Sequence, residues 1–362
     1  MCTRSIHKPE PTAEQLTLQK RARSKALTNA IVYKLAALNS PLRDSYTGSY
    51  RCNEVIQQTG SKLTARYCNQ RWCITCARMR TAKLIKGYQL QMMDLKQPYF
   101  MTLSARNVTK DELPQRLEDY NKVFMRIRKN LAKTYGIKLT GLRKIEVTYN
   151  SRRGDFHPHF HVIIDGKETA EKFRELWLNQ WGSEANILAN DIRKADKESL
   201  IELFKYVVKI SAKSKNDLQG IDWIFQCLKG KRLTAAYNMT YVQEDINPEQ
   251  VNKCNWIEPQ NEVFTFDFRA VDWCAPTGEV LTGYVMDDKT RRTYENILKG
   301  CIDLDNLPGI EPPPNYYDPN YTKPLTDIES DLFANYYKSM NPDKFRAPER
   351  KKQKVQQLQM FN

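Results

Sequence analysis

Residues 145–161 read IEVTYNSRRGDFHPHFH and predict the local structure that decides the fold. The runs on either side of SRRGD alternate as strands do, while Ser, Gly and Asp between them favour a turn. If the two runs close into a hairpin near Arg153, the numbers of facing residues sum to about 305 or 306. This register sets Glu146 opposite positions 159–160, on the face that carries the histidines.

Three of the four histidines of the chain, His157, His159 and His161, lie in this stretch. Alternate residues of a strand point to one side, so the imidazoles of His159 and His161 share a face with Glu146. Two imidazoles and one carboxylate predict a half-open site for manganese, magnesium or zinc. His157 has the same parity and is the alternative third ligand. The competing interpretation is an edge strand whose histidines face solvent.

A cysteine cluster precedes this region. Cys68, Cys73 and Cys76 lie within RYCNQRWCITCARMR, and four thiolates close a structural zinc site if Cys52 joins them. Cys52 is the least certain ligand because sixteen positions separate it from Cys68. The arginines around the cluster are placed to meet backbone phosphates, and they are Arg66, Arg71, Arg78 and Arg80. The alternative is a set of buried free cysteines.

The composition indicates a polyanion as partner. The chain has 362 residues and a net charge of +15, which favours DNA or RNA over a membrane surface. No N-terminal apolar region and no run of 18 apolar residues are present, so the sequence predicts neither secretion nor a membrane span. Nine cysteines without disulfide-like regularity suit a reducing cytoplasm.

The order of elements predicts an α+β fold. Strands are expected at 99–106, 142–149, 159–165 and 187–193, with amphipathic helices at 111–135 and 169–181. This βαββαβ order is that of the split βαβ, ferredoxin-like or RRM-like fold, an antiparallel sheet with helices on one face. The histidines would lie on the other, free face.

A further helix is predicted over 195–213. Glu202, Tyr206 and Lys209 are spaced to share one of its faces. A phenolate there can attack a phosphate that a metal ion polarises, and a lysine favours the phenolate and holds a phosphate oxygen. The helix alone favours the alternative, in which Tyr206 packs in the core.

The chain divides by composition into four parts. Residues 1–95 form a basic helical region with the four-cysteine zinc site, 96–215 the catalytic domain, 216–305 an accessory or DNA-binding region, and 306–362 a Pro-rich linker with a basic tail. A helix expected from Thr12 to Leu38 carries Lys20, Arg21, Arg23 and Lys25 on a flank that either contacts phosphate or is solvated.

Taken together, these motifs resemble those of the plasmid rolling-circle replication initiators in the HUH endonuclease superfamily. The motifs are YFMTLSARNV at 99–108, HPHFHVII at 157–164, ELFKYVVK at 202–209 and the cysteine cluster CNQRWCITC at 68–76. The tyrosine motif has the single-tyrosine form, with a glutamate four residues before the nucleophile. The resemblance covers roughly residues 52–240.

The resemblance implies a mechanism. His159 and His161, with Glu146 or His157, would bind Mg2+ or Mn2+ at a plasmid origin, and Tyr206 would attack the scissile phosphate. This leaves a 5′-phosphotyrosine and a free 3′-hydroxyl primer. Glu202 would activate water for termination, before the strands are joined. No GxxxxGK[ST] loop is present, so the resemblance implies a host helicase and a host polymerase as partners.

Other interpretations remain open. Within the superfamily, the chain could be a transposase or a mobilisation relaxase. Outside it, a non-catalytic zinc-containing DNA-binding regulator explains the charge and the cysteines, and a hydrolase of small phosphates explains the histidines. The tail Gln357–Phe361 looks like the pentapeptide that docks into bacterial sliding clamps, or is a frayed terminus.

Overall fold

The computed structural model describes residues 13–59, 62–196, 199, 203, 215–242, 262–268 and 270–298. The described residues form two compact units. The first comprises residues within 13–52, 67–242 and 286–298, and the second comprises residues within 53–66 and 262–285. The regular elements of the first unit are α1 (Ala13–Ala36), α2 (Arg43–Tyr50), α3 (Ile74–Met93), β3 (Pro98–Ser104), α4 (Leu113–Thr134), β4 (Gly141–Asn150), β5 (Asp155–Asp165), α5 (Lys167–Trp181), β6 (Ile192–Lys194), α6 (Lys215–Leu228), β7 (Thr234–Tyr237) and α7 (Asp288–Leu298). Those of the second unit are β1 (Val55–Thr59), β2 (Lys62–Ala65), β8 (Glu262–Asp267) and β9 (Asp272–Cys274).

A five-stranded sheet in the order β6-β3-β5-β4-β7 forms the centre of the first unit, and every neighbouring pair is antiparallel. The predicted α+β class with an antiparallel sheet is therefore confirmed. β4 and β5 form the predicted hairpin, with a turn over residues 151–154. Glu146 faces His159 and Asn150 faces Asp155, so facing numbers sum to 305. Glu146 thus has the register that the sequence predicts.

One face of the sheet is the hydrophobic core, because even-numbered residues of β5 point into it. Phe160, Val162 and Ile164 are fully buried. The Phe160 ring lies 5.5 Å from that of Phe124 on α4 and 6.0 Å from that of Trp177 on α5. The two predicted helices therefore cover this face together.

The core also contains a cation. Arg143 of β4 is 5 % exposed, with its guanidinium 4.6 Å from the Phe124 ring centroid and 4.4 Å from that of Phe160. Within the described residues, its Nε and Nη1 have no hydrogen-bond partner. Burial lowers the pKa of Arg143, and the aromatic faces stabilise the charge that remains.

The opposite face is not free along its whole length, contrary to the prediction. Phe100, Leu142 and Ile163 form a hydrophobic cluster there with Tyr88 and Met92 of α3, and Leu203 also belongs to it. α3 thus covers the end of the sheet where β5 finishes. The histidines lie nearer the start of β5.

Two local predictions differ from the structure, and the predicted helix cap at Thr12 is not tested. Of the strand expected at 187–193, residues Ile187–Ala189 form a 3-10 turn and β6 begins only at Ile192. Lys25 is fully buried and donates to the carbonyl oxygen of Tyr50 at 2.6 Å, so it is not on a solvated or phosphate-binding flank. Thr12 lies outside the described residues.

The sheet continues beyond residue 215, where the sequence places the end of the catalytic domain. β7 pairs with residues Gly141–Lys144 of β4 and adds a fifth strand. A Cβ at Gly141 would lie 1.9 Å from the carbonyl oxygen of Ile163, so glycine permits this close approach of β4 to β5.

The second unit contains a four-stranded antiparallel sheet in the order β2-β1-β8-β9. Buried Asp272 accepts hydrogen bonds from the backbone N–H groups of Thr282 and Tyr284 and from the Thr282 hydroxyl. These bonds hold the segment that follows β9. In the described part of the chain, no helix is long and apolar enough to cross a membrane.

Candidate active site

Glu146, His159 and His161 meet on the partly open face of the central sheet. Each offers a ligand atom, and these atoms lie within 4.8 Å of one another. The Nε2 atom of His161 is 3.6 Å from a carboxylate oxygen of Glu146. All three residues are at most 8 % exposed. The β4–β5 register brings the three together, since Glu146 faces His159 directly across the ladder.

Neighbouring groups orient both imidazoles. Nδ1 of His159 donates to the carbonyl oxygen of His157 at 3.2 Å, and Nδ1 of His161 is 3.4 Å from the hydroxyl of Thr102. The Phe100 ring stacks on His161 with centroids 5.3 Å apart. A hydrogen bond at Nδ1 leaves Nε2 as the ligand atom and fixes the ring, as is usual for metal-binding histidines.

The geometry fits one divalent cation. An octahedral ion with bonds of about 2.1 Å holds neighbouring ligand atoms about 3 Å apart and opposite ones about 4 Å apart. The 3.6 Å separation of His161 and Glu146 lies between these values. Two nitrogens and one carboxylate suit a divalent transition metal or magnesium and leave positions for substrate oxygens.

His157, the alternative third ligand, lies beside this cluster and not within it. Its Nδ1 is 2.8 Å from the side-chain oxygen of Asn107, and its ring stacks on His159 with centroids 5.2 Å apart. Asn107 in turn donates to a carboxylate oxygen of Asp155 at 2.9 Å. Burial lowers the pKa of His157. This placement favours Glu146 as the third ligand.

Lys144 is a site residue that the sequence reasoning missed, although its parity with Glu146 places it on the same face. It faces His161 across the β4–β5 ladder and is 3 % exposed. Burial lowers its pKa to about 8, while Glu146 acts in the opposite direction. Lys144 thus adds positive charge beside Glu146, His159 and His161, which together form the candidate metal-binding cluster, below called the metal-binding cluster.

The four predicted zinc ligands also come together. Cys52 follows α2, Cys68 lies in the loop between β2 and α3, and Cys73 and Cys76 lie at the start of α3. Their Sγ atoms fall within 4.8 Å of one another. The Sγ of Cys76 is 3.4 Å from that of Cys52 and 3.7 Å from that of Cys68. A tetrahedral zinc site with bonds of about 2.3 Å has sulfur atoms about 3.8 Å apart, so the cluster fits zinc.

Backbone amides support this assignment. The N–H groups of Cys68, Gln70 and Cys76 donate to the sulfurs of Cys52, Cys68 and Cys73 respectively, at 3.4–3.5 Å. Such bonds favour thiolates. Hydrogen bonds from Cys52, Cys73 and Cys76 lower the pKa of Cys68.

The predicted tyrosine motif lies almost entirely outside the described residues. Glu202, Tyr206 and Lys209 are not described, and Leu203 is the one residue of the motif that is. Leu203 is fully buried against Phe100, Leu142 and Ile163, on the sheet face that carries the histidines.

Comparison with known proteins gives the family. The family model described as Replication protein matches residues 61–181, which include three of the clustered cysteines and the metal-binding cluster. A protein named Protein rep from Staphylococcus aureus is 33 % identical over 165 residues, covering 41 % of this chain and 71 % of that relative. The chain belongs to the replication protein family.

Other relatives agree. Proteins named Protein rep from a Bacillus species and from Bacillus amyloliquefaciens are 26 % and 23 % identical over 183 and 211 residues, or 40 % and 47 % of this chain. The alignments span 57 % and 61 % of these two replication proteins. No solved structure matches the chain. The resemblance to plasmid replication initiators is confirmed, while the tyrosine motif lies beyond the residues that the family model matches.

Proposed function

We propose that this replication protein initiates rolling-circle replication of a plasmid by nicking one strand at the origin, as a single-tyrosine HUH endonuclease. One observation carries the proposal. In a member of the replication protein family, Glu146, His159 and His161 bring three ligand atoms within 4.8 Å on one face of an antiparallel sheet. The nicking step, its metal ion and its nucleophile are parts of the proposal.

In this mechanism Glu146, His159 and His161 would hold Mg2+ or Mn2+. A divalent cation there would supply Lewis acidity towards the scissile phosphate. The phenolate of Tyr206 attacks phosphorus, so that a bond to the tyrosine oxygen forms while the bond to the 3′ oxygen breaks. The 3′ oxygen takes up a proton and becomes the primer hydroxyl. Because the phosphodiester becomes a 5′-phosphotyrosine, the step needs no ATP.

Termination uses Glu202. After one round of synthesis, its carboxylate takes a proton from a water molecule that attacks phosphorus at the regenerated site, and the bond between phosphorus and the 3′ oxygen breaks. The 3′-hydroxyl released in this way attacks the 5′-phosphotyrosine and displaces the Tyr206 oxygen, which joins the strands. The Lys209 ammonium favours the phenolate of Tyr206 and holds a phosphate oxygen.

The position of Leu203 supports the role of Tyr206. Leu203 packs on the sheet face that carries the histidines. Because Tyr206 follows Leu203 by three positions in the sequence, this contact supports a nucleophile that acts on the side of the sheet that carries the histidines.

The partners follow from the same reaction. The substrate is origin DNA, as a duplex and as a single strand or an extruded hairpin. A host helicase would separate the strands and a host polymerase would extend the primer, both in the cytoplasm. Docking of Gln357–Phe361 to a sliding clamp stays a prediction, because this tail lies outside the described residues.

Adduct mapping tests the proposal. The protein is incubated with Mn2+ and a 3′-labelled single-stranded oligonucleotide library, and DNA-linked peptides are identified by mass spectrometry. We expect a nucleotide on Tyr206, no adduct in Tyr206→Phe with DNA binding retained, and an unchanged adduct in Tyr135→Phe, whose tyrosine is 43 % exposed.

Other outcomes are equally informative. An adduct on another tyrosine would remove the role of Tyr206 and keep the enzyme class. Absence of any adduct with Mn2+, with DNA binding intact, would overturn nicking and favour the non-catalytic regulator. Nicking with lost termination in Glu202→Ala distinguishes a single-tyrosine initiator from a relaxase.

A further inference from the structure

A basic cavity of about 480 Å³ lies in the first unit between α3, the loop that precedes it, and the edge of the central sheet. α3 contributes Arg80 and Leu84, the sheet contributes Lys144, and the segment between α6 and β7 contributes Lys229 and Arg232. Pockets of this volume are typical of small-molecule and cofactor sites, so a mononucleotide unit fits inside.

The charged side chains that line the cavity are all cationic. Its lining includes five cationic residues, and none of the described residues that line it is acidic. No carboxylate in the described part of the chain lies within ion-pairing distance of Arg80, Lys229 or Arg232. Clustered cations without acidic neighbours repel one another, and a bound anion relieves that repulsion.

Arg71 fixes the cavity wall. Its guanidinium donates to the carbonyl oxygens of Leu228 and Lys231, both at 2.5 Å. These bonds connect the loop before α3, which contains Arg71, to the end of α6 and the segment that follows it. Burial lowers the pKa of Arg71, and the charge of Arg80 lowers it further. The loop residues Asn69 to Trp72 line the cavity and lie between the clustered Cys68 and Cys73.

The other two arginines near the cysteines, Arg66 and Arg78, do not line the cavity. Arg78 donates to the hydroxyl of Ser24 at 2.6 Å and to the carbonyl oxygen of Lys20, so it ties α3 to α1. Arg66 belongs to the second unit. Of the four arginines predicted to meet phosphates, only Arg71 and Arg80 line the cavity.

The cavity ends beside the metal-binding cluster. Lys144 lines it, faces His161 across the ladder and lies two residues before Glu146 on the same side of β4. Two residues of a strand span roughly 7 Å. Phosphates of one stacked strand are about 3.4 Å apart along its axis, so a strand at the metal-binding cluster reaches the cavity within about two nucleotides.

We propose that this cavity binds phosphate groups of the single DNA strand that passes the metal-binding cluster. Arg80, Lys229 and Arg232 contact phosphate oxygens, while Arg71 positions the wall. The inference rests on the proposed function for the identity of the strand. Binding by the cavity is nevertheless independent of nicking, so the two can fail separately.

Anisotropy with a fluorescein-labelled, random-sequence single-stranded DNA pool tests the cavity in buffer without chelator and without added Mg2+ or Mn2+, where we expect no nicking. At salt concentrations between about 50 and 200 mM, the affinity of the double variant Arg80→Ala/Lys229→Ala for this DNA should be at least about tenfold lower than that of wild type. Two lost phosphate contacts should also reduce the slope of log affinity against log salt by about 1.4. Zinc content and thermal unfolding verify that the variant is folded.

The matched control removes the same charge elsewhere. Lys122 and Lys129 are exposed on α4, which packs on the opposite face of the sheet. Lys122→Ala/Lys129→Ala should stay within twofold of wild type and keep its salt slope, and Arg80→Lys/Lys229→Arg should retain binding within about threefold. If Arg80→Ala/Lys229→Ala is unfolded, Arg80→Gln replaces it and should lower the slope by about 0.7.

The outcomes separate the two proposals. If the cavity variant binds as the α4 control does while wild type forms the Tyr206 adduct, the cavity proposal is wrong and the nicking proposal stands. If wild type forms no adduct but the cavity variant loses binding, the cavity is a single-strand site in a protein that does not nick. Failure of wild type to bind the pool at all overturns the cavity proposal.

Discussion

Replacing Cys68 by serine should remove zinc from the protein. The four sulfurs of Cys52, Cys68, Cys73 and Cys76 lie close enough to share one tetrahedral ion, so we expect one zinc per wild-type chain. A serine hydroxyl stays protonated at neutral pH and is a poor fourth ligand. The zinc content of Cys68→Ser, measured by plasma mass spectrometry after purification without chelator, should fall close to zero.

The loss should also destabilise the first unit substantially. Structural zinc contributes roughly 10–16 kcal/mol in isolated zinc fingers, which equals or exceeds the roughly 5–15 kcal/mol stability of a typical domain. Here the cluster joins the end of α2, the loop between β2 and α3, and the first turn of α3. Since 1 kcal/mol shifts Tm by about 2–4 °C in a unit of this size, even a loss of about 4 kcal/mol, well below the zinc-finger value, lowers Tm by about 8–16 °C.

The control is Cys274→Ser, whose half-buried thiol lies outside the cluster. It should keep one zinc and a Tm close to that of wild type. Because residues 69–72 line the basic cavity between two zinc ligands, Cys68→Ser should also weaken single-stranded DNA binding. Full zinc content and an unchanged Tm in Cys68→Ser, or wild-type protein without zinc after refolding with zinc and reductant, would refute the reasoning.

Three further predictions concern the central sheet. His161→Ala removes one of three metal ligands, so the Mn2+ concentration for half-maximal nicking should rise by at least 10–100-fold; an unchanged Mn2+ titration would count against the cluster. Phe160→Ala empties a fully buried site and should lower the free energy of unfolding by about 3–5 kcal/mol in urea titrations. Arg143→Met replaces a buried cation whose Nε and Nη1 lack hydrogen-bond partners among the described residues, so it should be neutral or stabilise by about 1–4 kcal/mol. A loss of more than about 2 kcal/mol in Arg143→Met would show that its contacts with Phe124 and Phe160 outweigh its desolvation.

Local patterns predicted the hairpin and the meeting of Glu146, His159 and His161 on one of its faces. Alternation along 145–164 fixes which side chains share a face, and the turn limits the register to one of two, so the sequence places Glu146 opposite positions 159–160 and the structure pairs it with His159. The cysteine spacing likewise predicted a cluster, and the structure brings Cys52 into it although sixteen positions separate it from Cys68.

Non-local packing was not predictable in the same way. Lys25 has the spacing of a flank residue, but its burial depends on the carbonyl of Tyr50, 25 positions away. β7 has only four residues, too few for a strand pattern, and is recognised only by its pairing with β4. α3 is weakly amphipathic, so the sequence does not indicate that it covers part of the sheet face that carries the histidines.

The alternation of β5 has a consequence for evolution. Its even-numbered residues, Phe160 and Val162, contact the core, whereas His159 and His161 belong to the metal-binding cluster. Selection for abundance and selection for activity therefore act on interleaved positions of one short segment. A saturation-mutagenesis map should show tolerance alternating with a period of two, and a single-residue deletion should fail both selections because it exchanges the two faces.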